Sequence, residues 1–145
     1  MPDLEINKLL LHLQTNLKLH KTYLSMQNST DKLLKTIIEG IQEKKGRRIV
    51  TANLKGIKDC ICKYFVICQA NSPSHAEAVA GSISDMVRER LGEKAIGVSG
   101  LENAYWIAMD YGDIMVHVML PDAREFYDLE HLWADAVLTE IADID

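Results

Sequence analysis

The sequence predicts an α/β domain, a mixed sheet of about five strands with helices packed on it. Three features carry that expectation. Leu33, Leu34, Ile37, Ile38 and Ile41 recur at helical spacing. Tyr64-Phe65-Val66-Ile67-Cys68 is a near-continuous aromatic and β-branched run, the composition of a strand covered on both faces. Two further apolar stretches, 105–110 and 114–120, are separated only by Tyr111-Gly112-Asp113. That spacing reads as a tight hairpin, with glycine free to take a positive φ.

The elements follow in order. Residues 4–24 can be drawn as an amphipathic helix with Leu10, Leu13, Leu17 and Leu24 near one face, although Leu9, Leu11 and Leu19 fall elsewhere. A cleaner segment opens at Met26. Residues 1–25 are therefore expected to be an extension, loosely ordered or a start-site artefact, ahead of a domain at 26–145. Thr30 or Asp31 offers an N-cap for the helix through Ile41. Gly46 is expected to end it, with Lys44 and Lys45 in the last turn, where cations suit the helix dipole. A strand is expected at 48–54, with Gly56 in the connection that follows. Beyond the 63–70 strand, Asn71-Ser72-Pro73 sets a capping residue before a proline at the first helical position. The helix runs to about Leu91, with Ala76, Val79, Ala80, Ile83, Met86 and Val87 inward, and stops at Gly92. A short strand near 95–98, the hairpin, a turn or short helix carrying Arg124 and Tyr127, and a last helix over 129–141 complete the chain.

Composition narrows the class of function. A chain of 145 residues forms one domain with a real core, and its three cysteines make no disulfide framework. The longest apolar run among the first 25 residues is Leu9-Leu10-Leu11. That is too short for a signal peptide core of roughly 7–15 residues or a membrane span of roughly 20. A cytoplasmic protein with reduced thiols is expected. Charge is polarised: residues 31–63 carry nine Lys/Arg against four Asp/Glu, and residues 101–145 carry one Arg against eleven Asp/Glu. The balances are +5 and −10. An acidic end of this kind suits a basic protein partner, or simply solubility, and does not suit sequence-specific contact with nucleic acid.

Enzyme constellations fare poorly. Cys60, Cys62, Cys68 and His75 form one imperfect hook, whereas structural zinc wants two well-spaced pairs. Asp110, Asp113 and His117 could be drawn as metal ligands and a base. However, no glycine-rich phosphate loop accompanies them, and aspartates at hairpin ends are ordinary turn chemistry. No nucleophile elbow surrounds Ser72, Ser82 or Ser99. What remains unusual is aromatic: Tyr105, Trp106, Tyr111, Phe126, Tyr127 and Trp133 fall within 29 positions. Strand alternation sends Tyr105, Ile107 and Met109 to one face and Trp106 and Ala108 to the other. Trp106 is then either a surface anchor of a protein-binding patch or a core residue under a helix layer.

At this point ordered motifs resemble a known family. Asp59 to Asn71 followed by Ser72 resembles the D-Y-F-V-I-(C/A)-(T/S)-(G/A)-N-S segment of the ribosomal silencing factors, also called the Iojap family. Gly97-Val98-Ser99-Gly100 is similar to their G-V-E-G, departing at Ser99. Trp106, Asp110-Tyr111-Gly112-Asp113 and Val116-His117-Val118 resemble W-x-x-x-D-(Y/L)-G-D-x-x-V-H-V. Arg124, Phe126-Tyr127, Leu129-Glu130 and Leu132-Trp133 resemble the closing R-x-(F/Y)-Y-x-L-E-x-L-W.

The resemblance implies a nucleotidyltransferase-like fold without the catalytic apparatus, and no cofactor. It implies a translational repressor that binds the large ribosomal subunit through its protein fourteen and blocks subunit joining under nutrient limitation. The implied partner-binding residues are Trp106, Asp110, Tyr111, Gly112, Asp113 and His117, with Arg124 and Tyr127 behind them. Trp106 and Tyr111 would be apolar anchors, the carboxylates would meet basic groups, and Gly112 would allow close approach. Arg124, the lone cation of residues 101–145, is expected to pair with Asp110, Asp113 or Glu130 inside the protein. Two other readings stay open. One is a nucleotidyltransferase-type enzyme using Asp110 and Asp113, and the other is an oligomeric scaffold. The apolar patch is also expected to support a homodimer when the protein is free.

Overall fold

A computed structural model describes residues 2–57, 59–60, 62–132 and 135–144, with side chains for all of these except 2–6 and 22–27. The elements are α1 (Pro2–Glu43), β1 (Arg47–Asn53), β2 (Tyr64–Gln69), α2 (Pro73–Leu91) and β3 (Gly97–Ser99). They continue with β4 (Trp106–Asp110), β5 (Ile114–Met119), α3 (Pro121–Tyr127), a 3-10 turn at Leu129–His131 and β6 (Val137–Ile141). The strands form one mixed sheet in the order β3-β4-β5-β2-β1-β6. Among the described residues only β2 and β5 run parallel, because α2 and the β3–β4 segment lie between them and return the chain in the same direction. This is the expected α/β architecture with six strands in place of about five.

The chain divides into two compact units, residues 1–32 and 33–145. In the first, the described leucines of α1, Leu9, Leu10, Leu11, Leu13, Leu17 and Leu19, are all exposed. The helix does not begin at Thr30 or Asp31 as the capping signal predicts. No proline or glycine occurs between Pro2 and Gly40, so nothing in the local chemistry stops the helix upstream of that signal. In the second unit, Leu33, Ile37 and Ile41 of α1 are buried. The helix ends at Glu43, and the left-handed residue after it is Lys45, at φ 59°, rather than glycine. Gly46 is needed for a different reason. Its N–H returns to the Ile41 carbonyl at 3.0 Å, and a Cβ there would collide with the Ile41 side chain.

The main core lies on one face of the sheet. Val66, Cys68, Ile107, Met109, Val116 and Val118 pack with Val79, Ile83 and Val87 of α2 and with Ile37 and Ile41. Both ends of α2 follow local signals. Ser72 Oγ accepts the His75 N–H at 3.1 Å, Pro73 opens the first turn, and Gly92 closes the helix at φ 66°. The opposite face carries a smaller cluster of Ile67, Met119 and Ala123, with Phe65, Trp106 and Leu129 packed against it. The β2 strand is thus covered on both faces over Val66, Ile67 and Cys68, but Phe65 is only half-buried.

The final helix expected over 129–141 is not formed. After the 3-10 turn, β6 pairs antiparallel with β1, placing Thr139 opposite Thr51. The β-branched Val137, Thr139 and Ile141 favour extended backbone, and the outer edge of β1 offers a row of unpaired N–H and C=O groups. Tertiary pairing overrides the helical spacing of the apolar residues. Trp133, on which part of that expectation fell, lies outside the described residues.

Candidate functional site

The structure resolves which way each side of β4 faces. Ile107 and Met109 lie in the core, at 0% and 1% exposure. Trp106, Ala108 and Asp110 therefore lie on the opposite face. Register places them beside Met115, His117 and Met119 of β5, which in turn sit beside Phe65, Ile67 and Gln69 of β2. Packing of α3 on this face is centred on Ala123 against Ile67 and Met119. Phe65, Trp106, Ala108 and Met115 all remain partly exposed.

A chain of rings crosses this face. Phe65 meets His117 edge-on, with centroids 4.9 Å apart. His117 meets Trp106 at 5.7 Å, Trp106 meets Tyr127 at 4.8 Å, and Tyr127 meets Phe126 at 5.0 Å. Phe126 is 79% exposed and Tyr127 47%. Apolar rings that lie open on a surface beside a polar rim have the anatomy of a protein-binding hot spot.

His117 lies beneath this surface. It is 6% exposed, and burial lowers its pKa from 6.5 to about 4, so the imidazole is neutral at pH 7. Trp106 Nε1–H donates to its Nδ1 at 2.9 Å. An indole N–H can only donate, so Nδ1 carries the lone pair and Nε2 the proton. Nε2 is buried and meets no hydrogen-bond partner among the described residues.

The hairpin residues serve the turn itself. Asp110 Oδ1 accepts the Gly112 N–H at 2.8 Å, and Gly112 sits at φ 83°. The Asp113 carbonyl accepts the Lys63 N–H at 2.7 Å, and its carboxylate lies 3.5 Å from Lys63 Nζ. Tyr111, expected to be a surface anchor, is instead buried at 8% exposure. It continues the alternation of Ile107 and Met109, so its ring joins the core. Burial, with Glu93 nearby, pushes its phenol pKa upward.

Arg124 is also inside, at 5% exposure. Its Nε donates to Glu130 at 2.6 Å and its Nη1 donates to the Arg48 carbonyl at 2.6 Å. Arg48, at φ 50°, lies in the irregular stretch of β1 between Arg47 and Val50. The guanidinium thus ties α3 to the following turn and to β1.

Of the eight expected site residues, Trp106, Asp110, Gly112, Asp113 and Tyr127 reach the surface, whereas Tyr111, His117 and Arg124 are buried behind it. Sequence reasoning did not place Phe65, Met115 or Phe126 among the partner-binding residues, although Phe126 belongs to the aromatic cluster it noted. The signal that brings in the first two is cross-strand register, which pairs Phe65 with Met115. The imagined metal hook also comes apart. His75 accepts the Asn71 N–H on Nδ1 and bonds the Lys44 carbonyl through Nε2, and Cys68 is fully buried with its thiol pushed up to about 12. Among the described residues no group of three His, Cys, Asp or Glu side chains is arranged to hold a metal ion.

Comparison with known proteins points the same way as the motifs. The family model described as "Ribosomal silencing factor during starvation" matches residues 27–145. "Ribosomal silencing factor RsfS" of Halalkalibacterium halodurans is 34% identical over 116 residues, covering 80% of this chain and 97% of that protein. A mouse protein named "Mitochondrial assembly of ribosomal large subunit protein 1" is 32% identical over 85 residues, covering 54% of this chain and 37% of that protein. A crystal structure of a Chromobacterium violaceum protein superimposes with a TM-score of 0.67 at 29% identity, covering 72% of this chain and 85% of that one. With its domain matched almost from end to end, this chain belongs to the ribosomal silencing factor family.

Proposed function

We propose that the chain represses translation by binding the large ribosomal subunit through its protein fourteen and sterically blocking its joining with the small subunit under nutrient limitation. The observation that carries the proposal is the open ring surface of Trp106, Tyr127 and Phe126, continued by Phe65 and Met115. Asp110, Gly112 and Asp113 form its rim at the hairpin, while Tyr111, His117 and Arg124 support it from within. The balance of −10 over residues 101–145 complements a basic ribosomal protein and disfavours direct reading of nucleic-acid sequence.

The same reading makes the protein a cytoplasmic binder, with no reaction and no cofactor of its own. The carboxylates that an Asp110–Asp113 transferase would need are engaged with the Gly112 N–H and with Lys63. Residues 26–145 carry the activity, and residues 1–25 are an extension to it. In the absence of the ribosome, the apolar surface pairs two copies of the chain.

Sucrose-gradient sedimentation with purified subunits tests the proposal. Co-migration with the large subunit and loss of joined ribosomes are expected. Failure to associate at low salt would refute it, as would metal-dependent nucleotidyl transfer by the purified protein.

A further inference from the structure

In the β4–β5 ladder, Ala108 lies directly opposite His117, and Trp106 lies opposite Met119. Because Ala108 ends at a methyl group, the diagonal from Trp106 to His117 is open, and the indole uses it. We infer that His117 is a positioning residue for the docking surface. Its neutral imidazole touches no partner but fixes the orientation of the Trp106 indole on which a partner docks. The inference rests on the assignment of this face to protein binding.

Filling space is not sufficient reason for a histidine here. The ring lies between Phe65 and Trp106, and its Nε2 is buried without a hydrogen-bond partner among the described residues. An unpaired buried polar atom is unfavourable, and an aliphatic side chain would fill the site without one. What the histidine adds is an acceptor at Nδ1, and the Trp106 Nε1–H occupies it at 2.9 Å. On its other side the indole meets the Tyr127 ring at 4.8 Å. A half-buried tryptophan on an open sheet face has other rotamers within reach. Held at both ends before the partner arrives, it loses less conformational freedom on binding, and that difference appears as affinity.

Two variants of the full chain separate acceptor from packing. In His117→Asn an amide oxygen stands near the position of Nδ1, whereas His117→Leu fills the space without an acceptor. In the free protein, diluted until it is monomeric, the Trp106 indole N–H resonance, assigned with W106F, reports the hydrogen bond through its shift and its exchange with water. The dissociation constant for purified large subunits reports the surface. H117N is expected to keep a protected indole and an affinity within about threefold of the parent. H117L is expected to lose the protection and about tenfold in affinity, equivalent to about 1.4 kcal/mol. Unchanged indole protection in folded H117L overturns the inference, and so does a freed indole with unchanged affinity. Should H117L not fold, Ala108→Val crowds the same diagonal while keeping the imidazole in the sequence, and must give the same paired loss. If the parent chain itself does not bind large subunits, the functional assignment fails, while the indole comparison still decides whether His117 holds Trp106.

Discussion

Acidification should weaken this fold through one residue, His117, by an amount that its burial sets. An exposed imidazole titrates near 6.5, and this one near 4. At 1.36 kcal/mol for each pH unit of that gap, the neutral ring contributes about 3 kcal/mol of stability at pH 7. The folded pKa lies below the unfolded one, so the unfolded chain takes up the proton first. The contribution is therefore complete above pH 6.5, declines as the pH falls, and is gone at about pH 4. Protonation would also place a hydrogen on Nδ1, where the Trp106 N–H now donates. The assay is urea unfolding followed by circular dichroism at pH 7.5 and pH 5.0, on the parent chain and on His117→Asn. The parent should lose about 2 kcal/mol more than the variant between those conditions. Every other side chain is common to the two proteins, so its contribution cancels in the difference. Equal losses in the two would refute a buried neutral imidazole at this position.

Phe126→Ala removes a ring that is 79% exposed, so its stability should stay within about 0.5 kcal/mol of the parent. Its affinity for large subunits should fall by about 1–2 kcal/mol, and undiminished co-sedimentation would remove Phe126 from the surface. Arg124→Met strips a buried partner from Glu130 and from the Arg48 carbonyl and should cost about 3–5 kcal/mol in denaturant unfolding. A loss under about 1 kcal/mol would mean that this tie between α3 and β1 contributes little.

How far the sequence reached depended on the range of the signal. Both ends of α2 were legible because Ser72-Pro73 and Gly92 act within a few residues of themselves. The end of the chain was not. Leu129, Leu132, Ala136 and Val137 fall at helical spacing, and only the open edge of a strand far away in sequence makes β6 the better outcome. Tyr111 was misplaced although its parity with Ile107 and Met109 was available, because the motif match carried it to the surface together with its hairpin neighbours. Alternation along β4 separated Trp106 from Ile107 but could not say which of them faced the helices. The contact between Phe65 and His117 depends on parallel register between β2 and β5, which no local pattern encodes.

The pairing of β6 with β1 has a consequence during synthesis. Asn53 finds its partner Val137 only after 84 further positions have been translated. At elongation rates of about 5–20 residues per second, β1 emerges roughly 4 to 17 seconds before the strand that will cover its outer side. Through that interval a nascent chain offers a free row of main-chain donors and acceptors to any neighbour on the same messenger. Crowded polysomes, more than dilute refolding, are where this protein should be prone to pair with itself wrongly.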